Sequence, residues 1–393
     1  MKKKILFVDD EGKVLEGLKR MLRSMRSEWE MEFALSGESA LEILKDKSFD
    51  VVVTDMRMPG MDGCHLLERV RNLHPQTVRI ILSGHSDKDL ILSSVGLTHQ
   101  FLSKPCDGET LKTTIARACT MRELLEDESL VSVVSKIESL PSLPALYREV
   151  VEEVNSQDAS LEKVAEIVSR DAGMSAKLLQ LVNSAFFGLP TDVSSILRAV
   201  SLLGLGTIKT LILSVKIFSQ FDRPGLPPIS SLWSHSISTG MIARRIASHE
   251  DLGQKRIDEA FMAGLLHDVG KLILLDRFPE KCRETSATAS SSGCQLWEAE
   301  RKVLGTTHAQ IGAYLMGIWG LSESLVEAIA FHHCPSTCSN SSIGTLTVVH
   351  LANSIEHCEC GKKSSNSLDL HYLEKLGIAE RLGASYSTIS DAS

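Results

Sequence analysis

Aromatic side chains are scarce in this chain, at 5% of residues, and positive charge is in deficit. Lys and Arg number 42 against 50 Asp and Glu, a formal net charge of −8. A chain short of both stacking rings and cationic surface is poorly suited to nucleic acid or an anionic membrane. Long apolar runs are missing too. The longest candidate, Leu202 to Phe218, is interrupted by Lys209 and Lys216. It falls short of the roughly 18 residues a membrane helix needs. The basic start Met1 to Lys4 is followed only by Ile5 to Val8 before Asp9, which is too short for a secretory h-region. The nine cysteines are odd in number and scattered, so reduced thiols in a cytoplasm are expected rather than a disulfide framework. What remains is ordinary globular usage, 43% hydrophobic and 23% charged over 393 residues. That length suggests two or three domains.

The first 120 residues alternate between two periodicities. Short apolar runs at Ile5–Val8, Phe33–Leu35, Val51–Val53, Val78–Leu82 and Gln100–Ser103 read as strands. Between them, Val14, Leu15, Leu18, Met21 and Leu22, and then Ala40 to Leu44, follow helical spacing. Five strands alternating with helices predict a doubly wound α/β fold with a parallel sheet. Residues 117–135 read as a charged linking helix. After it the strand signal stops, and an all-α region with helices punctuated by Pro and Gly runs to about Ile355. The stretch Arg223 to Pro228 is a break that divides this region into two lobes, about 136–222 and 229–355. Ser286 to Gly293 reads as a loop, and 356–393 as a variable tail that frays at its end.

In a parallel sheet, ligands bind beyond the carboxyl ends of the strands. Asp9 and Asp10 follow the first strand, Asp55 the third, Ser83 the fourth and Lys104 the fifth. Three carboxylates on one edge repel each other unless a cation is present, and oxygen ligands suit Mg²⁺. Lys104 and Ser83 add an ammonium and a hydroxyl for an anion. Together these suit phosphoryl transfer to a carboxylate. The segments ILFVDDE, VVVTDMRMPGMDG, IILSGHS and FLSKP, in this order and spacing, resemble the receiver domain of two-component response regulators (flavodoxin-like). The resemblance implies Asp55 as phosphoacceptor for a cognate histidine kinase. It implies Mg²⁺ held by Asp9, Asp10, Asp55 and the backbone carbonyl of Arg57. Ser83 and Lys104 would contact the phosphoryl group, Phe101 would be the aromatic switch residue, and the Lys104–Pro105 bond would be cis.

Farther along, His235, the adjacent His267 and Asp268, His308, and the pair His332 and His333 form an ordered series. Imidazoles with a carboxylate suit a divalent transition metal. An isolated histidine is more often a satisfied core residue or a cap; the series points to a shared site. It is similar to the HD superfamily of metal-dependent phosphohydrolases. Residues 130–350 resemble more closely its regulatory HDOD branch, through IESLPSLPALYREVVEEV, VSRDAGMSAKLLQLVNSAFFG, ILRAVSLLGLGTIKTLIL, LWSHSISTGMIARRIA, AGLLHDVGKLIL and HAQIGAYLMGIWGL. Asn183 and Ser184 fall in that family's Asn-Ser signature, with a loop-organising amide as the structural alternative for Asn183.

Two departures bear on catalysis. Asn353 stands where HD hydrolases place their last metal-binding Asp, and the Gly-Tyr-Pro stretch of the cyclic-dinucleotide phosphodiesterases is absent from HHCPSTCSN. HDOD domains are regarded as non-catalytic. Lys271, one turn from His267, either reaches a phosphate or snorkels at the rim of an apolar helix. Cys334, Cys338, His357, Cys358 and Cys360 lack a strong zinc spacing.

The expected protein is therefore a cytoplasmic response regulator. Its receiver (1–120) controls, through a linker helix (121–135), an HDOD output domain (136–355) that acts through an unidentified protein partner or a second copy of the chain. No membrane or nucleic-acid role is expected. The alternative is a receiver-controlled, metal-dependent phosphohydrolase.

Overall fold

In the computed structural model the described residues are 2–84, 96–125, 127–138, 140–142, 144–156, 158–183, 192–210, 219–220, 230–338, 342–359 and 368–378. Ser184, Cys360 and the break from Arg223 to Pro228 lie outside them.

Five strands form the amino-terminal sheet: β1 (Lys3–Val8), β2 (Trp29–Ala34), β3 (Val51–Asp55), β4 (Val78–Ser83) and β5 (Gln100–Ser103). Their order is β2-β1-β3-β4-β5, and every pairing is parallel. Helices Gly12–Met21, Gly37–Asp46, Gly63–Leu73 and Gly108–Arg122 connect or cover them. The three central strands are apolar on both faces because both faces are covered: Val51, Val52 and Val53 are buried, as are Val78, Ile80 and Ile81. Register then fixes the edge. Val8 lies beside Thr54, and Asp55 beside Leu82. Asp9 and Asp55 therefore leave neighbouring strands at the same height.

The expected linking helix is not continuous. One helix ends at Arg122 and a second begins at Glu128. Asp127 starts the second, its carboxylate accepting from the backbone N–H groups of Ser129 and Leu130. An acidic residue that reads as a solvated helix face is here a cap.

Among the described residues the carboxy-terminal region is mostly helical, with one short parallel bridge between Pro141–Ser142 and Ser219–Gln220, which no sequence signal announced. Helices Ser230–His249, Gln254–Leu266 and Thr345–Glu359 pack together. Helix Val269–Arg277 packs on His308–Ile318, which in turn packs on Glu323–Phe331. Ser286 to Gly293 is not a loop. It forms the end of helix Pro279–Ser292, with Pro279 in the first turn and Gly293 closing it in the left-handed conformation. Thr285 and Thr288 donate back to carbonyls four residues earlier, so their hydroxyls are satisfied within the helix. The last long helix runs to Glu359, past the expected boundary at 355. Helix Leu370–Lys375 then returns Tyr372 and Leu373 to the core.

The two regions share an apolar core. It passes from the sheet through Leu111, Ile115 and Ala118 of helix Gly108–Arg122 to Tyr314, Leu315 and Ile318. Polar links reinforce it. Gln100 Nε2 donates to the Ile318 carbonyl (3.0 Å), Gln180 Nε2 to the His99 carbonyl (3.1 Å), and Ser135 and Tyr314 join hydroxyls at 2.6 Å. Among the described residues no helix is long and apolar enough to cross a membrane.

Candidate functional sites

The first site lies at the carboxyl edge of the sheet. Asp9 and Asp55 are buried and Asp10 is exposed beside them. Lys104 reaches across from the end of β5. Its ammonium donates to Asp9 Oδ2 at 2.7 Å and pairs with Asp55 Oδ1. Asp55 Oδ2 accepts from the backbone N–H of Arg57 at 3.1 Å. Burial pushes the Asp55 carboxyl above the usual range, against the pull of Lys104. Burial works against the charge on Lys104, yet its bonds to Asp55 and Asp9 raise its pKa. Ser83 is 1% exposed, and its Oγ has no hydrogen-bond partner among the described residues. A buried hydroxyl without a partner is costly and marks a place where an oxygen-rich ligand is expected. The donor set is all oxygen, which fits a hard cation such as Mg²⁺.

Gly63 is required close by. A Cβ there would come within 2.1 Å of the Asp55 carbonyl oxygen, so helix Gly63–Leu73 can start against β3 only with glycine. The Lys104–Pro105 bond is cis. Phe101 is buried among Val52, Ile81 and Met56. It also lines a cavity of about 380 Å³, together with Arg117 of the receiver-side helix and Gln180, Asn183 and Trp319 from the helical region. Asn183 Nδ2 donates to the Val193 carbonyl, and its Oδ1 accepts from the Val193 N–H.

The second site gathers the histidine series around one carboxylate. His267 and Asp268 lie outside the helices on either side of them. They form the junction between helices Gln254–Leu266 and Val269–Arg277, where the chain turns and the Asp268 carboxylate enters the core. His308 begins its helix, and His332 and His333 follow Phe331. Asp268 Oδ2 is 3.4 Å from His267 Nε2 and 3.5 Å from His235 Nε2, and its Oδ1 is 3.1 Å from His308 Nε2. Asp268 with His308, His332 and His333 forms one group able to hold an ion. His235, His267 and Asp268 form another. All six predicted residues are thus brought together. Lys271 is occupied, its ammonium 2.6 Å from Asp268 Oδ2.

The protonation pattern leaves lone pairs facing inward. Burial lowers His267 to about 3 and pulls His332 and His333 well below the ordinary value, so these rings are neutral. His267 Nδ1 donates to the Gly264 carbonyl and His332 Nδ1 to that of Ile329. Each ring has one N–H, so each Nε2 carries a lone pair. Among the described residues His332 Nε2 and Asn353 Oδ1 are buried without a hydrogen-bond partner, while Asp268 Oδ1 faces His308 Nε2 at 3.1 Å. Burial disfavours charge on His308 too, but Glu300 and Asp268 raise it. Burial also opposes the Asp268 charge, yet His267, Lys271 and His308 hold its pKa well below the carboxylate range. Unpaired nitrogen and oxygen donors converging on one carboxylate fit a divalent transition metal.

Sequence reasoning missed three participants. Glu300 faces His308 Nδ1 at 2.6 Å. Glu356 faces His235 Nδ1, and the His357 ring stacks on that of His235 at 4.8 Å. Of the cysteine-rich group, Cys334 and Cys338 form no disulfide, and His357 belongs to the histidine site.

Comparison with known proteins agrees with both halves. The model of the response regulator receiver domain matches residues 5–116, and that of the HDOD domain matches 140–335. An uncharacterised protein of Treponema pallidum is 27% identical over 205 residues, 51% of this chain and 39% of that protein. The hydrogenase transcriptional regulatory protein HoxA of Bradyrhizobium diazoefficiens is 27% identical over 186 residues, 44% of this chain and 38% of its own length. The chain thus spans well under two thirds of these curated relatives. Among solved structures, the MmoQ response regulator of Methylococcus capsulatus superposes with a TM-score of 0.50 at 20% identity. That match covers 64% of this chain and 97% of that one, a likeness of fold. The chain belongs to the response regulators, with an amino-terminal receiver domain joined to a carboxy-terminal HDOD domain.

Proposed function

We propose that this protein is a phosphorylation-controlled signalling switch. Its receiver accepts a phosphoryl group on Asp55 from a histidine kinase, and its HDOD domain is a non-catalytic output that acts through protein contacts. One observation carries the reading: β5 leads into Lys104 of the phosphorylation pocket and carries Gln100, which bonds to the HDOD domain, and helix Gly108–Arg122, which follows, packs on helix His308–Ile318.

An Asp55 oxygen attacks phosphorus and the donor's leaving group departs. Asp9, Asp10, Asp55 and the Arg57 carbonyl would hold Mg²⁺, which neutralises charge on the moving group. Lys104 would shift from bridging Asp9 and Asp55 to pairing with the new phosphoryl oxygens. The unpartnered Ser83 Oγ would donate to one of them. That draw on Ser83 at the end of β4 alters the packing of Phe101 on β5. Phe101 lines the cavity shared with Gln180 and Trp319, so the change reaches the HDOD surface directly. In the HDOD domain, His235, His267, Asp268, His308, His332 and His333 would hold a divalent transition metal as a structural element.

Incubation with acetyl phosphate and Mg²⁺, followed by intact-mass measurement, tests the acceptor. The wild type gains one phosphoryl group and Asp55→Ala gains none. An unlabelled wild type, or equal labelling of both, contradicts the assignment.

A further inference from the structure

The histidine site has a feature that its ligand series does not explain. Two buried carboxylates stand behind it. Glu300 is 3% exposed and Glu356 is 6% exposed, and they come from different helices. Each faces the Nδ1 of a histidine whose Nε2 points at Asp268: Glu300 behind His308, Glu356 behind His235. A carboxylate in this position holds the ring's N–H and fixes the tautomer that offers Nε2 to a metal. It also raises the basicity of that nitrogen.

The His235 side shows the consequence. His235 Nδ1 donates to Glu356, and His267 Nδ1 donates to the Gly264 carbonyl at 2.7 Å. The two Nε2 atoms are then left facing each other at 3.1 Å, with Asp268 Oδ2 within 3.5 Å of both. Two lone pairs at that separation repel unless a cation or proton sits between them. Charge points the same way. Asp268, Glu300 and Glu356 bring three buried carboxylates to the site; the Lys271 ammonium offsets one of them by pairing with Asp268, and Glu300 and Glu356 each face a histidine ring. Buried carboxylates are strongly destabilising without compensating positive charge.

We propose that Glu356 completes this metal site as a positioning residue. It orients His235 for an ion shared with His267 and Asp268, and it supplies from three residues farther along the same helix the negative charge that Asn353 does not carry. His357 supports it by stacking on His235, with its Nδ1 4.0 Å from Glu356 Oε2. The inference rests on reading His235, His267 and Asp268 as metal ligands.

The test uses the full chain and Zn²⁺ or Co²⁺ alone, with bound metal measured by equilibrium dialysis and the Co²⁺ visible spectrum recorded. Glu356→Gln keeps the shape and removes the charge. It weakens binding roughly 10–100-fold and shifts the Co²⁺ bands, while the far-ultraviolet circular dichroism is unchanged. Glu356→Asp recovers part of the affinity, and Asn353→Ala costs less than Glu356→Gln. If Glu356→Gln keeps wild-type affinity and spectrum, or Asn353→Ala costs as much, Glu356 has no such role. A wild-type chain that binds neither ion contradicts the ligand reading itself, and the role of Glu356 falls with it.

Discussion

Two lysines are held inside this molecule under opposite conditions. Lys104 lies between Asp9 and Asp55, and its charge is stabilised there. Lys177 is 2% exposed and burial lowers it to about 7, although its ammonium donates to the Glu138 carbonyl and lies 5.0 Å from the Trp319 ring centre. The folded pKa of Lys177 is below the unfolded value of 10.5, so between these values the unfolded chain binds more protons. This residue therefore makes stability rise with pH through that window, and its contribution is least favourable below about pH 7. Lys177→Met removes the effect. In chemical denaturation, the stability difference between wild type and variant is expected to change by about 1–2 kcal/mol from pH 7 to 8.5, in favour of the wild type. A constant difference contradicts it. At this scale the sequence was readable where chemistry is dense, as in Asp9, Asp55, Lys104 and the His267–Asp268 pair. Glu356 was hidden because the last helix was expected to end at about 355, which put it in the tail, and His357 was grouped with the nearby cysteines. Only the packing of helix Thr345–Glu359 against Ser230–His249 brings them to His235.

At the scale of elements, the histidine site depends on one close crossing. A Cβ on Gly270 would fall 1.9 Å from the His308 carbonyl oxygen. Helices Val269–Arg277 and His308–Ile318 can therefore meet only with glycine there, and this contact sets Asp268 against His308. Gly270→Ala must push the helices apart. A loss of about 1–3 kcal/mol is expected from overpacking, seen as a lower melting temperature of the HDOD domain, with Asp55 phosphorylation retained. Unchanged thermal unfolding contradicts the crossing. The parallel sheet was legible because its strands are short apolar runs alternating with helical spacing, and the first and third run into acids. The helix through Ser286 to Gly293 was not, because Ser and Thr favour loops by propensity and tertiary support overrides it here. The break before Glu128 was missed because an acidic cap and an acidic helix face read alike.

For the whole molecule, the decisive arrangement is a receiver seated on its output. Arg79, 1% exposed, donates to the Ser135 carbonyl and contacts His99, whose own carbonyl accepts from Gln180. This anchor lies at the amino ends of the strands, away from Asp55. The other contact, through Phe101, Gln100 and Trp319, lies along β5. One end is thus tied by buried polar bonds, whereas Phe101 and Trp319 line a cavity. Nothing in the sequence located this seam, because its residues are separated by up to 218 positions, as in the Gln100–Ile318 bond. The central claim is that the HDOD domain senses the phosphorylation state of Asp55 across it. Hydrogen–deuterium exchange on the full chain, with and without acetyl phosphate and Mg²⁺, tests this most directly. The account predicts altered amide exchange in residues 172–183 and 308–320 of the wild type and none in Asp55→Ala. Changes confined to residues 1–125 of a fully phosphorylated chain would contradict it.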